Sequence, residues 1–167
     1  VNVVSLERVK ELLDYEPTTG IFRWKGRTGR GKTPLSAPGA LAGTTNDSGY
    51  RIIRLDRVNF RAHRLAWLYV HGELPKQDID HINGDRSDNR IANLRSVSRS
   101  VNLQNLRSAK SHNKSSGLLG VHLSDNRWIA KLQVDKRTVH IGSFGTAEEA
   151  SQAYLAAKRS LHAGCTI

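Results

Sequence analysis

The chain has 167 residues with 26 Lys+Arg against 15 Asp+Glu, a net charge of +11 that suits a polyanionic partner, nucleic acid being the commonest. A single cysteine, Cys165, excludes an intramolecular disulfide and a multi-cysteine zinc site, and argues for a reducing compartment. No apolar run approaches the roughly 20 residues needed to span a bilayer, and Val1-Asn2-Val3-Val4 lacks the basic-then-apolar form of a signal peptide.

In chain order, Leu6 to Leu13 reads as a helix capped by Ser5, with Leu6, Val9, Leu12 and Leu13 on one face. Thr18-Thr19-Gly20 turns the chain into a short strand, Ile21 to Trp24, and Arg27 to Pro38 is loop-like. Gly49 to Leu55 and Val58 to Ala62 form a hairpin about Asp56-Arg57. His63 to His71 is apolar nearly all round, which predicts a buried helix ended by Gly72. Ser98 caps a helix running to about Leu106, and Arg107 to Gly117 is polar, basic and Ser-rich, as in a linker.

The last third alternates cleanly. Gly120 to Leu123, Trp128 to Val134 and Thr138 to Ile141 are three strands joined by short polar turns. Thr146-Ala147-Glu148-Glu149 is a capping box opening a helix whose inner face is Ala150, Ala153, Tyr154, Ala157 and Leu161. In the middle strand Trp128, Ala130, Leu132 and Val134 face that helix, and Ile129, Lys131, Gln133 and Asp135 face outward. Such a cation-bearing open face is shaped to enter a DNA major groove.

The distribution of charge is more telling than its total. No acid lies between Ser98 and Ser124, where Arg99, Arg107, Lys110 and Lys114 fall, whereas Asp78, Asp80, Asp85 and Asp88 gather in one stretch. That stretch, Asp80-His81-Ile82-Asn83-Gly84-Asp85 through Asp88-Asn89 to Asn93-Leu94-Arg95, is followed by Asn102 and Asn105. Phosphodiester hydrolysis needs a base for water, a Lewis acid and help for the departing oxygen. Asp80 can give a hard oxygen to Mg²⁺ and Asn102 a neutral one, which leaves His81 as general base and Asn93 to accept its other N–H. Adjacent residues on a strand point to opposite sides, so Asp80 and His81 call for a backbone bend, and the Asn83-Gly84 and Asp88-Asn89 pairs supply that kind of irregular loop. A calcium loop counted from Asp78 fails, because its glycine falls one place late and its twelfth position is Asn89. Zinc on His63, His71 and His81 matches no standard spacing.

Residues His63 to Asn105 resemble the HNH homing endonucleases of phages and introns through their DHINGD…DN…NLR…N..N pattern. The resemblance implies an α+β fold with a ββα-metal nuclease core. It makes Asp80 and Asn102 metal ligands, His81 the general base and Asn93 the residue that orients it, with Arg95 and Asn105 in support and His63 a buttress. From about Ser116 to Gly164 the chain resembles the plant ethylene-response-factor DNA-binding domain, a three-stranded antiparallel sheet with one packed helix. The matching residues are Gly120-Val121, Trp128, Ala130, Gly142-Ser143-Phe144, Thr146 to Ala150 and Ala153-Tyr154. This second likeness puts His122, Arg127, Lys131, Gln133, Thr138 and His140 at base- or phosphate-contacting positions, with Arg99, Lys110 and Lys114 adding contacts to the backbone.

The expected organisation is residues 1–62 completing the nuclease module, 63–107 its core, 108–117 a basic linker, and 118–164 the DNA-binding domain. Arg23, Lys25, Arg27, Arg30 and Lys32 add phosphate contacts. The expected activity is site-directed, Mg²⁺-dependent endonuclease cleavage of double-stranded DNA (Mn²⁺ substituting) by a monomer, leaving 5′-phosphate and 3′-hydroxyl ends. The resemblance further implies a cytoplasmic, phage- or mobile-element-encoded enzyme. A non-cleaving DNA-binding regulator is the alternative, and the intact Asp80, His81, Asn93 and Asn102 set argues against it.

Overall fold

A computed structural model describes residues 4–26, 37–109, 113 and 115–166; Arg27, Arg30, Lys32, Lys110 and Lys114 lie outside these. The described residues form a mixed α/β structure of small antiparallel sheets and four helices. The chain divides into two compact units, Val1–Ser98 and Arg99–Ile167. No helix among the described residues is long and apolar enough to cross a membrane.

The first unit opens with α1 (Leu6–Leu12), whose Ser5 hydroxyl accepts from the Arg8 amide as an N-cap. Leu13, expected as the last residue of that helix, instead starts β1 (Leu13–Glu16). The reason is a period of two. Leu13 and Tyr15 are buried, Asp14 and Glu16 exposed, and the strand pairs with β2 (Ile21–Trp24) from Leu13↔Trp24 to Glu16↔Ile21. A second sheet comprises β3 (Thr44–Thr45), β4 (Arg51–Leu55) and β5 (Val58–Arg61). The β4–β5 turn is Asp56-Arg57, both at positive φ (47° and 70°), the backbone that two-residue hairpins prefer.

Next comes α2 (Ala62–His71), closed by Gly72 in the left-handed conformation. It buries Ala62, His63, Leu65, Ala66 and Leu68 among Val9, Leu13, Phe22, Ile53 and Leu55. Burial on every side, expected from its apolar composition, is not found, because Val70 is 43% exposed and His71 is exposed. The helix packs on α1, β4 and β5, and its apolar character continues past the face they cover. The unit ends in the hairpin of β6 (Asp78–His81) and β7 (Leu94–Val97).

The second unit begins with α3 (Arg99–Gln104), shorter than the helix expected to reach Leu106. Its partners lie at the far end of the same unit. The Gly164 amide donates to Gln104 Oε1 at 2.9 Å, Thr166 Oγ1 donates to Asn105 Oδ1 at 2.6 Å, and Lys158 Nζ donates to the Leu106 carbonyl. This is why the division of the chain falls at Ser98/Arg99 and not in 108–117.

Strands β8 (Val121–Ser124), β9 (Arg127–Val134) and β10 (Arg137–Phe144) form an antiparallel sheet in the order β10-β9-β8. Both turns, Asp125-Asn126 and Asp135-Lys136, again sit at positive φ. Helix α4 (Ala147–Leu161) has the reciprocal capping box of Thr146 and Glu149. Ala130, Leu132, Ala150 and Tyr154 make the core, with Trp128 and Val134 against it. Gly120 lets Tyr154 in, since a Cβ there would lie 2.0 Å from the ring. Leu161 does not join the core as expected; it is 48% exposed, and Lys158, one turn earlier, is buried in its stead. The buried Lys158 amine is satisfied by the Leu106 carbonyl, a partner that the period of α4 alone cannot reveal.

Candidate active site

The β6–β7 ladder runs unbroken through Asp78↔Val97, Ile79↔Ser96, Asp80↔Arg95 and His81↔Leu94. The bend expected at Asp80-His81 therefore comes later, at Gly84 with φ 76°. Alternation turns the two side chains to opposite sides of the ladder, and they have different partners. Asp80, 7% exposed, accepts from Arg95 Nε at 2.9 Å and Nη2 at 2.8 Å on one carboxylate oxygen.

His81, 4% exposed, meets the His63 ring edge-on at 4.9 Å between centroids, and Tyr50 stands 5.4 Å from His63 and 6.0 Å from His81. Burial lowers the His81 pKa, opposed by its hydrogen bond with Asn89 and by Asp80, Asp85 and Asp88. Burial pushes His63 further, to about 3, with His81, Arg61 and Arg64 acting in the same direction. Both rings are thus neutral near pH 7, the form a general base requires.

The asparagine that reaches His81 is not the expected one. Asn89 Oδ1 lies 3.5 Å from His81 Nε2, and Asn89 Nδ2 donates to the Ser87 carbonyl at 2.8 Å. Asn93 serves the loop between the strands. Its Oδ1 accepts from the Asn83 amide at 3.0 Å, and its Nδ2 donates to Asn83 Oδ1 at 3.0 Å and to the Asp88 carbonyl at 2.9 Å. Asp88 is held well down, to about 2, by hydrogen bonds from Arg90.

Sequence reasoning passed over Asn89 because an Asp-Asn pair reads first as a turn. Its burial, 1% exposed, comes from the N-terminal hairpin. The Tyr15 hydroxyl donates to the Asn89 carbonyl at 2.7 Å, and a Cβ on Gly20 would sit 2.4 Å from the Arg90 nitrogen. Residues 1–62 thus shape the loop that addresses His81. Tyr15→Phe is expected to lower the stability of the first unit by about 1–2 kcal/mol, the scale for orphaning a buried carbonyl, read from urea unfolding. An unchanged midpoint would show that this hydroxyl does not hold the loop.

The donor set decides which ions fit. Among the described residues no three His, Cys, Asp or Glu side chains converge as a metal cage. His71 stacks on Trp67 at 4.1 Å and does not join His63 and His81, so the three-histidine zinc arrangement does not form. A hard ion that keeps several waters and takes one carboxylate together with substrate phosphate suits Asp80. Asn102 lies half-buried on α3, in the second unit, and Arg99 is exposed at the start of that helix.

In the second unit the register gathers six expected contact residues on one face. His122 pairs with Ile129, Lys131 with His140, Gln133 with Thr138, and Arg127 with Ser124. Alternation puts these residues on the side of the sheet away from α4, and Arg127, Lys131, Gln133, Thr138 and His140 are exposed. No curated protein and no solved structure matches the chain. Residues 60–104, from the end of β5 through α3, match the family described as HNH endonuclease, so the segment that carries His63, Asp80, His81, Asn89 and Asn93 is similar to endonucleases, a likeness that points to a nuclease acting on DNA.

Proposed function

We propose that the chain is a homing-type, site-directed DNA endonuclease whose general base is His81. The observation that carries this reading is the buried His81 on β6, next to Asp80 in sequence and 3.5 Å from Asn89 Oδ1, inside the segment similar to HNH endonucleases. His81 takes the proton of a water whose oxygen bonds to phosphorus, the P–O3′ bond breaks, and the departing 3′ oxygen takes a proton from solvent water, leaving a 5′-phosphate and a 3′-hydroxyl. A divalent ion such as Mg²⁺ or Mn²⁺, if bound, would supply Lewis-acid stabilisation of the developing negative charge. Asp80 offers it a carboxylate; the assignment of Asn102 as a further ligand rests on the sequence pattern alone. Asn93 acts on His81 through the loop it braces, as a positioning residue. The open face of the C-terminal sheet, with its likeness to the ethylene-response-factor domain, reads the site on double-stranded DNA, to which the protein binds as a monomer.

Incubation with plasmid DNA and Mg²⁺, Mn²⁺ or EDTA tests the chemistry. Nicked or linear product with either ion and none with EDTA is expected; tight binding without cutting would favour the non-cleaving regulator. Truncation near Ser108 is not a clean test of targeting, because it strips α3 of Lys158, Gly164 and Thr166. A Lys131→Ala, Gln133→Ala, His140→Ala triple variant leaves the core intact. It is expected to retain cutting but lose positional preference, since phosphate contacts position a protein while base contacts specify. Mapped cleavage at the same positions as wild type would remove the sheet from target reading.

A further inference from the structure

We propose that Arg61, Tyr50 and Arg86 form a preorganised clamp for a backbone phosphate of the DNA beside His81. The inference rests on the DNA-cutting reading above and adds the residues that seat the strand. Tyr50, just before β4, carries two guanidinium groups on its ring, Arg61 at 4.6 Å and Arg86 at 5.0 Å from the centroid. The same ring stands 5.4 Å from His63 and 6.0 Å from His81, so both cations lie at the edge of the imidazole pocket. Three separate stretches of chain converge there: the approach to β4, the end of β5 and the loop after β6. The Arg86 position is fixed further by donation from Nη1 to the Ser48 carbonyl at 3.0 Å.

What sets these two arginines apart is that both lie over one ring, and neither is neutralised there by a carboxylate. In the first unit Arg8 is paired with Asp56 and Glu11, Arg90 with Asp88 and Arg95 with Asp80. Among the described residues neither Arg61 nor Arg86 forms an ion pair with a carboxylate. The nearest acid in sequence, Asp85, is engaged by the Ser87 amide and hydroxyl, both at 2.8 Å. Both arginines are exposed.

Two like charges collected on one ring repel each other, and a cation–π contact at an exposed site offsets only about 0.5–1 kcal/mol. An anion between them removes the repulsion. The ring holds both guanidinium groups within 5.0 Å of its centroid, and the planar fork of a guanidinium matches two phosphate oxygens. Because the arginines are preset, little side-chain entropy is lost when the strand arrives.

The test is binding of the full chain to a short duplex of arbitrary sequence in EDTA, where no cutting occurs, over a range of salt. Arg61→Gln and Arg86→Gln are each expected to weaken binding about tenfold, the scale for a lost charge-assisted hydrogen bond. Each should also flatten the slope of log affinity against log salt by about one. Arg54→Gln, an exposed arginine on β4 of the same sheet, should leave the slope unchanged. Tyr50→Leu keeps every charge yet should weaken binding severalfold, and Tyr50→Phe, which retains the π face, should restore it. Unchanged slopes in the Arg61 and Arg86 variants would overturn the clamp, as would an Arg54 variant equal to them or a Tyr50→Leu protein binding like wild type. Wild type that cuts plasmid DNA while the slopes stay put would sink the clamp alone. Flattened slopes in a protein that cuts nothing would sustain the clamp and sink the endonuclease reading.

Discussion

Replacing His81 by alanine is expected to reduce DNA cleavage by about 10²- to 10⁴-fold, the scale for loss of a general base, with DNA affinity kept. Affinity should persist because the cations that meet the backbone, Arg61 and Arg86 among them, remain. His81 is buried against His63, so alanine also opens space in the first unit. His81→Gln separates the two effects. It fills most of the volume and can keep a hydrogen bond to Asn89, but it cannot take a proton near neutrality. Both variants should bind a duplex like wild type and fail to nick plasmid DNA in Mg²⁺ or Mn²⁺. Cleavage near the wild-type rate in His81→Gln would remove His81 from the chemistry; parallel loss of binding and cutting would make it structural.

Acid should destabilise the first unit before any carboxylate is protonated. In an unfolded chain His63 takes up its proton near pH 6.5, whereas in the folded chain burial delays this to about 3. Between those values the unfolded state holds more protons, so stability is full above pH 6.5 and falls with acidification by about 1.4 kcal/mol per pH unit. The lowered pKa of His81 adds to the same slope. Asp88, held down to about 2, has the opposite sign of shift, and its contribution is lost only as the pH drops from the ordinary carboxylate range toward that value. Glu7 and Glu16 are also held below the ordinary glutamate range by hydrogen bonds, so the interval from pH 6.5 to about 5.5, above the carboxylate range, is the one the histidines dominate. Urea unfolding at pH 7 and pH 5.5 should show a lower midpoint at pH 5.5, and His63→Gln should flatten the difference. Equal midpoints for wild type at the two pH values would contradict a buried neutral His63.

Much of the local structure was legible in the residues. Asp56-Arg57 announced a hairpin turn, as did the polar pairs between the C-terminal strands, because few residue types tolerate positive φ. The Thr146/Glu149 capping box and the alternation of β9 were equally readable, being matters of spacing within one element. Asp80, His81, Asn93 and Asn102 stood out as residues able to handle a phosphodiester, and the HNH likeness covers all four. The strand Leu13–Glu16 was missed because four residues leave too short a period to separate from the helix before them.

What the sequence by itself determined, then, is the local conformation of turns, caps and strands and the kinds of chemistry present; which side chain meets which was decided by the tertiary structure. Asn89 and Asn93 are the same residue type in the same loop. Asn89 reaches His81 because Tyr15 and Gly20, more than sixty residues earlier, set the path of that loop. Tyr50, Arg61 and Arg86 become one cluster only once two hairpins pack, and Lys158 is buried because the Leu106 carbonyl is there to receive it. Turn and cap preferences act over a few residues of backbone, whereas burial and partner choice depend on surfaces assembled from distant stretches of chain, and no spacing within one stretch encodes them.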